Sequence, residues 1–464
     1  GRILVKFKPE AASFLDAATT RSVGAALTRS GISDMDAVLQ RIGTSKLERI
    51  FPVDNRTEER TRKAGLNLWY IIHFDKDTDL EQVAKDLSQV ADVAKVQFTR
   101  AIQRSYDPNV RATVLTKQAM TRVVHTTRAV NTDANDPFFN LQWGCKNDGS
   151  ILQNGEKNDK GDNVVPAVMG VDVNCGEAWK LCTGNPSIVV AVLDEGVMYD
   201  HPDLEGNIWV NEDETFASKE DADGNGYAGD RYGYNFTDDK GYISYDDPND
   251  TGHGTHVAGI ISAVRNNGEG ISGIAGGDKA NNRGGVKIMS CQVFSGSKGC
   301  DLYQEAKAVK YAADNGAVIL QCSWGYNSGL SNPISGYTPG FTSDKDWVDA
   351  APLEKEAFDY FLHNAGSPND VIDGGIIVFA AGNEYAAMAG YPGAYPDYIS
   401  VAALAADGTP SCYFNYAMGV SIAAPGGDSD YHQSSKGKIY STLPPSANED
   451  GGENSHYGYM EGTS

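Results

Sequence analysis

A chain of 464 residues is too long for one ordinary domain, and 41% hydrophobic with 22% charged residues describes a globular protein that can bury a large core. A formal net charge of −23 argues against nucleic acid as a partner, because a phosphate-binding surface needs a basic face. No apolar run approaches the roughly 20 residues of a membrane-spanning helix; runs such as 188–193 and 376–381 are strand-sized. The opening Gly1-Arg2-Ile3-Leu4-Val5 reads as a processed or trimmed start, so the absence of a signal peptide does not place the protein in the cytoplasm. The seven cysteines (Cys145, Cys175, Cys182, Cys291, Cys300, Cys322 and Cys412) are odd in number and hold no C-x-x-C pair. That spacing disfavours zinc, and they read as small buried hydrophobes with room for one disulfide.

In chain order, residues 1–105 predict a small α+β module. A strand at 3–8 is closed by Pro9, a helical pattern runs from Ala11 to Leu27, and a second strand covers 68–74. Asp79 opens a helix with Leu80, Val83, Ala84, Leu87 and Val90 on one face, and a strand at 93–98 closes the module. The pieces fit a β-α-β-β-α-β, ferredoxin-like order. Residues 106–135 are polar and weakly patterned, and read as a linker. From Asp136-Pro137 onward, Val/Ile-rich runs at 188–193, 286–293, 317–322, 376–380 and 399–403 alternate with helical stretches such as 256–264 and 302–315. Continuous apolar strands alternating with helices predict a parallel sheet buried on both faces, with ligands at the carboxyl ends of its strands.

The residues that could carry chemistry fall at such ends. Asp194 closes the apolar run 188–193 just before a Gly turn, where a partly desolvated acid must be paired. His253 stands in Thr251-Gly252-His253-Gly254-Thr255-His256-Val257-Ala258-Gly259, at the opening of a helix and between glycines that let other backbone approach. His256 is expected to point into packing. Ser464 ends Gly462-Thr463-Ser464. A serine becomes a nucleophile only with a base beside it, and the base needs an acid to fix its tautomer.

These three strings together resemble the subtilase family of serine peptidases, and Asp194…His253…Ser464 is the subtilisin order. The resemblance extends over residues 136–464: Gln142-Trp143-Gly144, His201-Pro202-Asp203-Leu204, Phe379-Ala380-Ala381-Gly382-Asn383, Tyr391-Pro392-Gly393-Ala394-Tyr395-Pro396 and Ile422-Ala423-Ala424-Pro425-Gly426 are all similar to family segments. Residues 1–105 look like the inhibitor-like pro-domain of the family. The resemblance implies a subtilisin-like three-layer α/β sandwich with a mostly parallel sheet behind that pro-domain. It also implies a serine endopeptidase acting on polypeptides, exported to the cell surface, periplasm or medium, with its own pro-domain as intramolecular inhibitor and processing somewhere within 105–135. By family role, Asp194 orients the imidazole, His253 is general base and then acid, Ser464 attacks, and Asn383 donates to the oxyanion. Ser323-Trp324-Gly325 matches the edge strand that pairs with substrate, with Trp324 in place of a smaller residue; it either narrows a pocket or packs in the core.

The segment Asp221-Ala222-Asp223-Gly224-Asn225-Gly226-Tyr227-Ala228-Gly229-Asp230 carries oxygen side chains at alternating positions between glycines, which suits Ca²⁺. Asp221, Asp223, Asn225 and Asp230, with the Tyr227 carbonyl, are the expected ligands, and the family carries a similar segment. Two features depart from the family. Glu195 follows the catalytic Asp where Ser or Thr is usual, and a second carboxylate there would disturb the Asp–His pair unless it points elsewhere. The chain also stops on the nucleophile, so a continuation, beginning Met-Ala or similar by family analogy, is expected. These departures leave a second reading open, a catalytically impaired subtilase-fold protein that binds its own linker or a partner peptide.

Overall fold

The computed structural model describes residues 1–21, 26–115, 133–158, 160–366, 372–429, 434–447 and 455–464. Every side chain of the strand Val189–Asp194 is buried, so it must be covered on both faces. It lies within a seven-stranded sheet ordered Ile422–Pro425, Ile399–Leu404, Ile376–Ala380, Ala317–Cys322, Val189–Asp194, Lys287–Gln292, Gly233–Asn235, with every pairing parallel. Period-two alternation divides the core in two. Val189, Ala191 and Leu193 pack among residues of helices Leu302–Asp314 and Pro352–Asn364, whereas Val190 and Val192 pack with Val257 and Ala258 of helix His253–Ser262. The outcome is helix, sheet and helix in three layers, as the apolar runs predict. Strand order reverses around Val189–Asp194, with later strands lying on both sides of it, and the carboxyl ends there frame a crevice.

The N-terminal module folds as a four-stranded antiparallel sheet ordered Lys46–Arg49, Trp69–His73, Arg2–Phe7, Val93–Gln97. One face carries Ile3, Val5 and Phe7 against Leu15, Met35, Leu39 and Leu87 from its own helices. The other face brings Leu4, Trp69 and Ile71 into the core of the larger unit. Polar contacts fix the seam: Lys6 Nζ and Trp69 Nε1 both donate to Glu356 Oε2 at 2.7 Å, and Arg60 pairs with Asp314 at 2.9 Å. Helices Ser33–Arg41 and Glu58–Lys63 and strand Lys46–Arg49 have no counterpart among the predicted elements. Glu58–Lys63 and Lys46–Arg49 are short and charged, and the strand buries only Leu47, so neither shows a period, whereas Ser33–Arg41 does carry one, with Met35, Val38 and Leu39 buried at helical spacing. The first helix runs Ala12–Arg21, and residues 22–25 of the predicted stretch lie outside the described residues.

Helix His253–Ser262 begins three residues before the predicted 256. Its N-cap is Gly252 in the left-handed region (φ 77°), so no Ser, Thr or Asp marks the start. The helix is tied to the hairpin Ile439–Thr442/Tyr457–Met460 through His256, whose Nε2 lies 3.1 Å from the Ile439 carbonyl and 3.2 Å from that of Gly458. A ring nitrogen between two carbonyls must carry a proton, so Nε2–H is the donor. Burial, and then the charge of His253, push the His256 pKa down to about 3. His201 is pushed down to about 4, again mainly by burial, with Nε2 2.9 Å from the His456 carbonyl.

Both folded pKa values lie below the unfolded value, so the stability is complete above about pH 6.5 and is lost as pH falls towards 3 to 4, where the unfolded chain takes up protons first. Urea unfolding at pH 5 should therefore lose about 2 kcal/mol per histidine relative to pH 7.5. His256→Gln, which keeps an N–H donor, should remove one such share of the pH dependence. An unchanged slope in that variant would contradict the assignment.

Candidate active site

Asp194 is delivered by the last residue of a buried strand and is 0% exposed. Its carboxylate is fully engaged: Glu195 N–H donates at 2.7 Å, Tyr106 O–H at 3.1 Å, and His253 Nδ1 lies 2.9 and 3.0 Å from the two oxygens. Anchoring Nδ1–H on the carboxylate leaves Nε2 of His253 as the basic nitrogen. Close approach of the two segments requires glycine at 254, because a Cβ there would lie 2.2 Å from the Glu195 carbonyl oxygen.

Asn383 follows strand Ile376–Ala380 across a short turn. Its Oδ1 accepts from Thr463 N–H at 3.1 Å and from Thr463 Oγ1 at 3.0 Å, which turns Nδ2 towards the crevice. Nδ2 donates to the Ser105 carbonyl at 2.6 Å. Ser464 and His253 line one cavity together with Trp143, His256 and Met460, and the Ser464 hydroxyl is buried without a hydrogen-bond partner.

The Ser105 carbonyl is held there because residues 103–104 add as an antiparallel strand to Trp324–Gly325, with Arg104 opposite Trp324 and Gln103 opposite Gly325. Ser105 N–H donates to the Ser323 carbonyl at 3.1 Å, and Ile102 N–H to that of Cys300 at 3.1 Å. Residues 102–105 thus occupy the crevice as an extended peptide. Tyr106 then lays its ring on the His253 imidazole, with centroids 3.7 Å apart and planes at 10°. Of the two readings of Trp324, the contacts favour core packing: the indole is 1% exposed and rests against Phe358 and Phe379.

Glu195 is buried but does not face the imidazole. Its Oε2 accepts from Thr251 N–H at 2.9 Å, Thr251 Oγ1 at 3.0 Å and His253 N–H at 3.1 Å, so it holds the loop before the helix. Burial, then the Asp194 charge, raise its pKa.

In the acidic loop, the carboxylates that share one point are Glu214, Asp221 and Asp223, each offering an oxygen within 4.8 Å of the others. Three hard oxygen donors converging in this way fit a divalent cation such as Ca²⁺. Asp230 is engaged otherwise: Asn211 donates at 3.0 Å to one oxygen, and Asn225 at 2.9 Å and Tyr311 at 2.8 Å to the other. Tyr227 is buried in an aromatic cluster with Tyr234 and Tyr311. The sequence reading does not include Glu214, Tyr106 or the anchoring role of Thr463. Glu214 lies outside the D-x-D-G-N-G segment, so only its fold-borne proximity reveals it.

Residues 185–464 match the model of the Subtilase family, and residues 3–149 match that of the N-terminal of Subtilase family. Among curated proteins, the chain is 33% identical over 194 residues to Subtilisin-like protease 1 of Plasmodium vivax, covering 42% of this chain and 25% of that one. It is 28% identical over 232 residues to the Halolysin-like extracellular serine protease Nep of Natrialba magadii, covering 50% and 32%. The chain therefore spans about a quarter to a third of the length of these relatives. Among solved structures, the epidermin leader peptide processing serine protease EpiP of Staphylococcus aureus aligns over 100% of this chain and 84% of its own, at 17% identity and a TM-score of 0.49. With the family model matched over more than half its length, this chain belongs to the subtilase family.

Proposed function

We propose that the chain is a subtilisin-like serine endopeptidase in zymogen form, with its own N-terminal module seated in the cleft as inhibitor and first substrate. The observation that carries this reading is the Ser105 carbonyl, bound by Asn383 Nδ2 at 2.6 Å while its strand pairs with Ser323-Trp324-Gly325. A carbonyl so held is polarised for attack, and the same donor strengthens its bond as negative charge develops on that oxygen.

In the reaction, Ser464 Oγ forms a bond to the Ser105 carbonyl carbon while its proton passes to His253 Nε2. Asp194 stabilises the resulting imidazolium through Nδ1–H. The Ser105–Tyr106 bond then breaks, and His253 returns the proton to the departing nitrogen of Tyr106. Water hydrolyses the acyl-enzyme by the reverse proton path. Residues 1–105 are the pro-domain, 106–135 the linker whose first peptide bond is cut, and 136–464 the peptidase domain. The relative named as extracellular supports an exported protein. Bound at Glu214, Asp221 and Asp223, Ca²⁺ would offset two of their three negative charges and brace the loop, which lies against the N-terminal module through Arg56 and Asp223 at 3.2 Å. It supplies structure rather than a chemical step.

Incubation of the full-length protein should release a fragment ending at Ser105 and expose Tyr106 as a new N-terminus, read by mass spectrometry. Ser464→Ala should leave the chain uncut and unlabelled by a fluorophosphonate. Cleavage only at other bonds, or at an unchanged rate in Ser464→Ala, would refute the assignment. Saturating Ca²⁺, at about 100 times its dissociation constant, should add about 2.7 kcal/mol to unfolding. The double variant Glu214→Gln, Asp221→Asn should abolish that gain, and a gain that persists in it would place the ion elsewhere.

A further inference from the structure

Arg104, the residue before the Ser105 carbonyl, extends into a pocket of its own with its side chain 10% exposed. Its guanidinium lies over the Phe294 ring at 4.6 Å, and Nη2 donates to the Gly296 carbonyl at 2.8 Å. Its Nε is 3.5 Å from Glu195 Oε1. Both oxygens of Glu195 are accounted for unequally. Oε2 receives the three donors from Thr251 and His253, whereas Oε1 is buried without a hydrogen bond. Behind the Gly296 wall, Asp250 accepts Gly296 N–H at 2.6 Å through Oδ1, and its Oδ2 is likewise buried and unbonded. Burial first, then the charge of Glu195, push the Asp250 carboxyl up to about 8, and Arg104 pulls it back.

An aromatic face, a backbone carbonyl and the under-satisfied Glu195 oxygen each favour a cation over a neutral side chain, and a cation seated there favours in turn the ionised form of Asp250 behind the wall. None of this chemistry is needed to hold the Asp194–His253 pair, which is complete without Oε1 of Glu195. We propose that Glu195, Asp250 and Phe294 form a specificity pocket for a basic side chain, arginine above lysine, on the residue immediately preceding the one whose carbonyl is attacked. The planar guanidinium suits the ring face and the carbonyl together, which an ammonium does not. The inference rests on the peptidase reading above, with residues 102–105 standing for substrate.

The test uses the processed full-length protein and quenched peptides Ile-Gln-X-Ser-Tyr-Asp, where X is arginine, lysine, citrulline, alanine or glutamate. Citrulline keeps the shape of arginine without its charge. The kcat/KM for arginine should exceed that for citrulline by about 10- to 100-fold, the range of a charge-assisted contact, with glutamate poorest. Glu195→Gln, and separately Asp250→Asn, should shrink the arginine-to-citrulline ratio to about threefold or less. Each ratio is taken within one preparation, so a loss of folded protein cancels. Hydrolysis of all five peptides at similar rates, or a full ratio in Glu195→Gln, would overturn the pocket and leave the peptidase standing. Hydrolysis of none, with Ser464 unlabelled by a fluorophosphonate, would remove the peptidase reading and the pocket with it.

Discussion

The site depends on burying one carboxylate inside protein with donors on both of its oxygens. Asp194 ends a strand whose side chains are all buried, so its carboxylate is tolerable only if both oxygens meet donors. The backbone N–H of Glu195, the ring N–H of His253 and the Tyr106 hydroxyl meet that demand together. The requirement propagates outward. His253 must open its helix tight against residue 195, which forces glycine at 254, and the helix must be clamped to the hairpin by a neutral His256. Two adjacent carboxylates coexist because they face different ways, Asp194 to the imidazole and Glu195 to the loop amides and the Arg104 side chain.

Much of this is legible in the sequence wherever a property is local. Unbroken Val/Ile runs announce strands buried on both faces, and the alternation of Val189, Ala191 and Leu193 against Val190 and Val192 is what builds two cores from one strand. A strand-end Asp, a Gly-flanked His and an Ala-Gly-Asn turn are short strings whose geometry is carried by the strings themselves. The family resemblance then binds them into one site before any distance is known.

What is illegible is contact at long range. Tyr106 lies 88 residues from the carboxylate it meets, in a stretch with no periodicity to mark it. Nothing in Gly462-Thr463-Ser464 reveals that Thr463 orients an amide 80 residues earlier in the chain. The acidic loop shows the same limit, because the carboxylate that joins Asp221 and Asp223 comes from outside the alternating segment. Asp230 is consumed by Asn211, Asn225 and Tyr311, and Glu214 enters from outside the repeat. The short charged elements of the N-terminal module are missed for a different reason, since they bury too little surface to imprint a pattern.

The N-terminal module meets the larger unit with cations against its acids: Arg2 on Asp301, Lys6 and Lys95 on Glu356, Arg60 on Asp314, Arg56 on Asp223 and Arg104 on Glu195. Those partly exposed at the seam are individually weak. The apolar face of Leu4, Trp69 and Ile71, by contrast, is sealed in the shared core. None of these contacts crosses the Ser105–Tyr106 bond, so breaking that bond leaves them all in place. Severing the chain and vacating the cleft are therefore separate events on this architecture. The first needs one bond broken, whereas the second must expose a buried apolar sheet face and strand Glu195 and Glu356 without their partners.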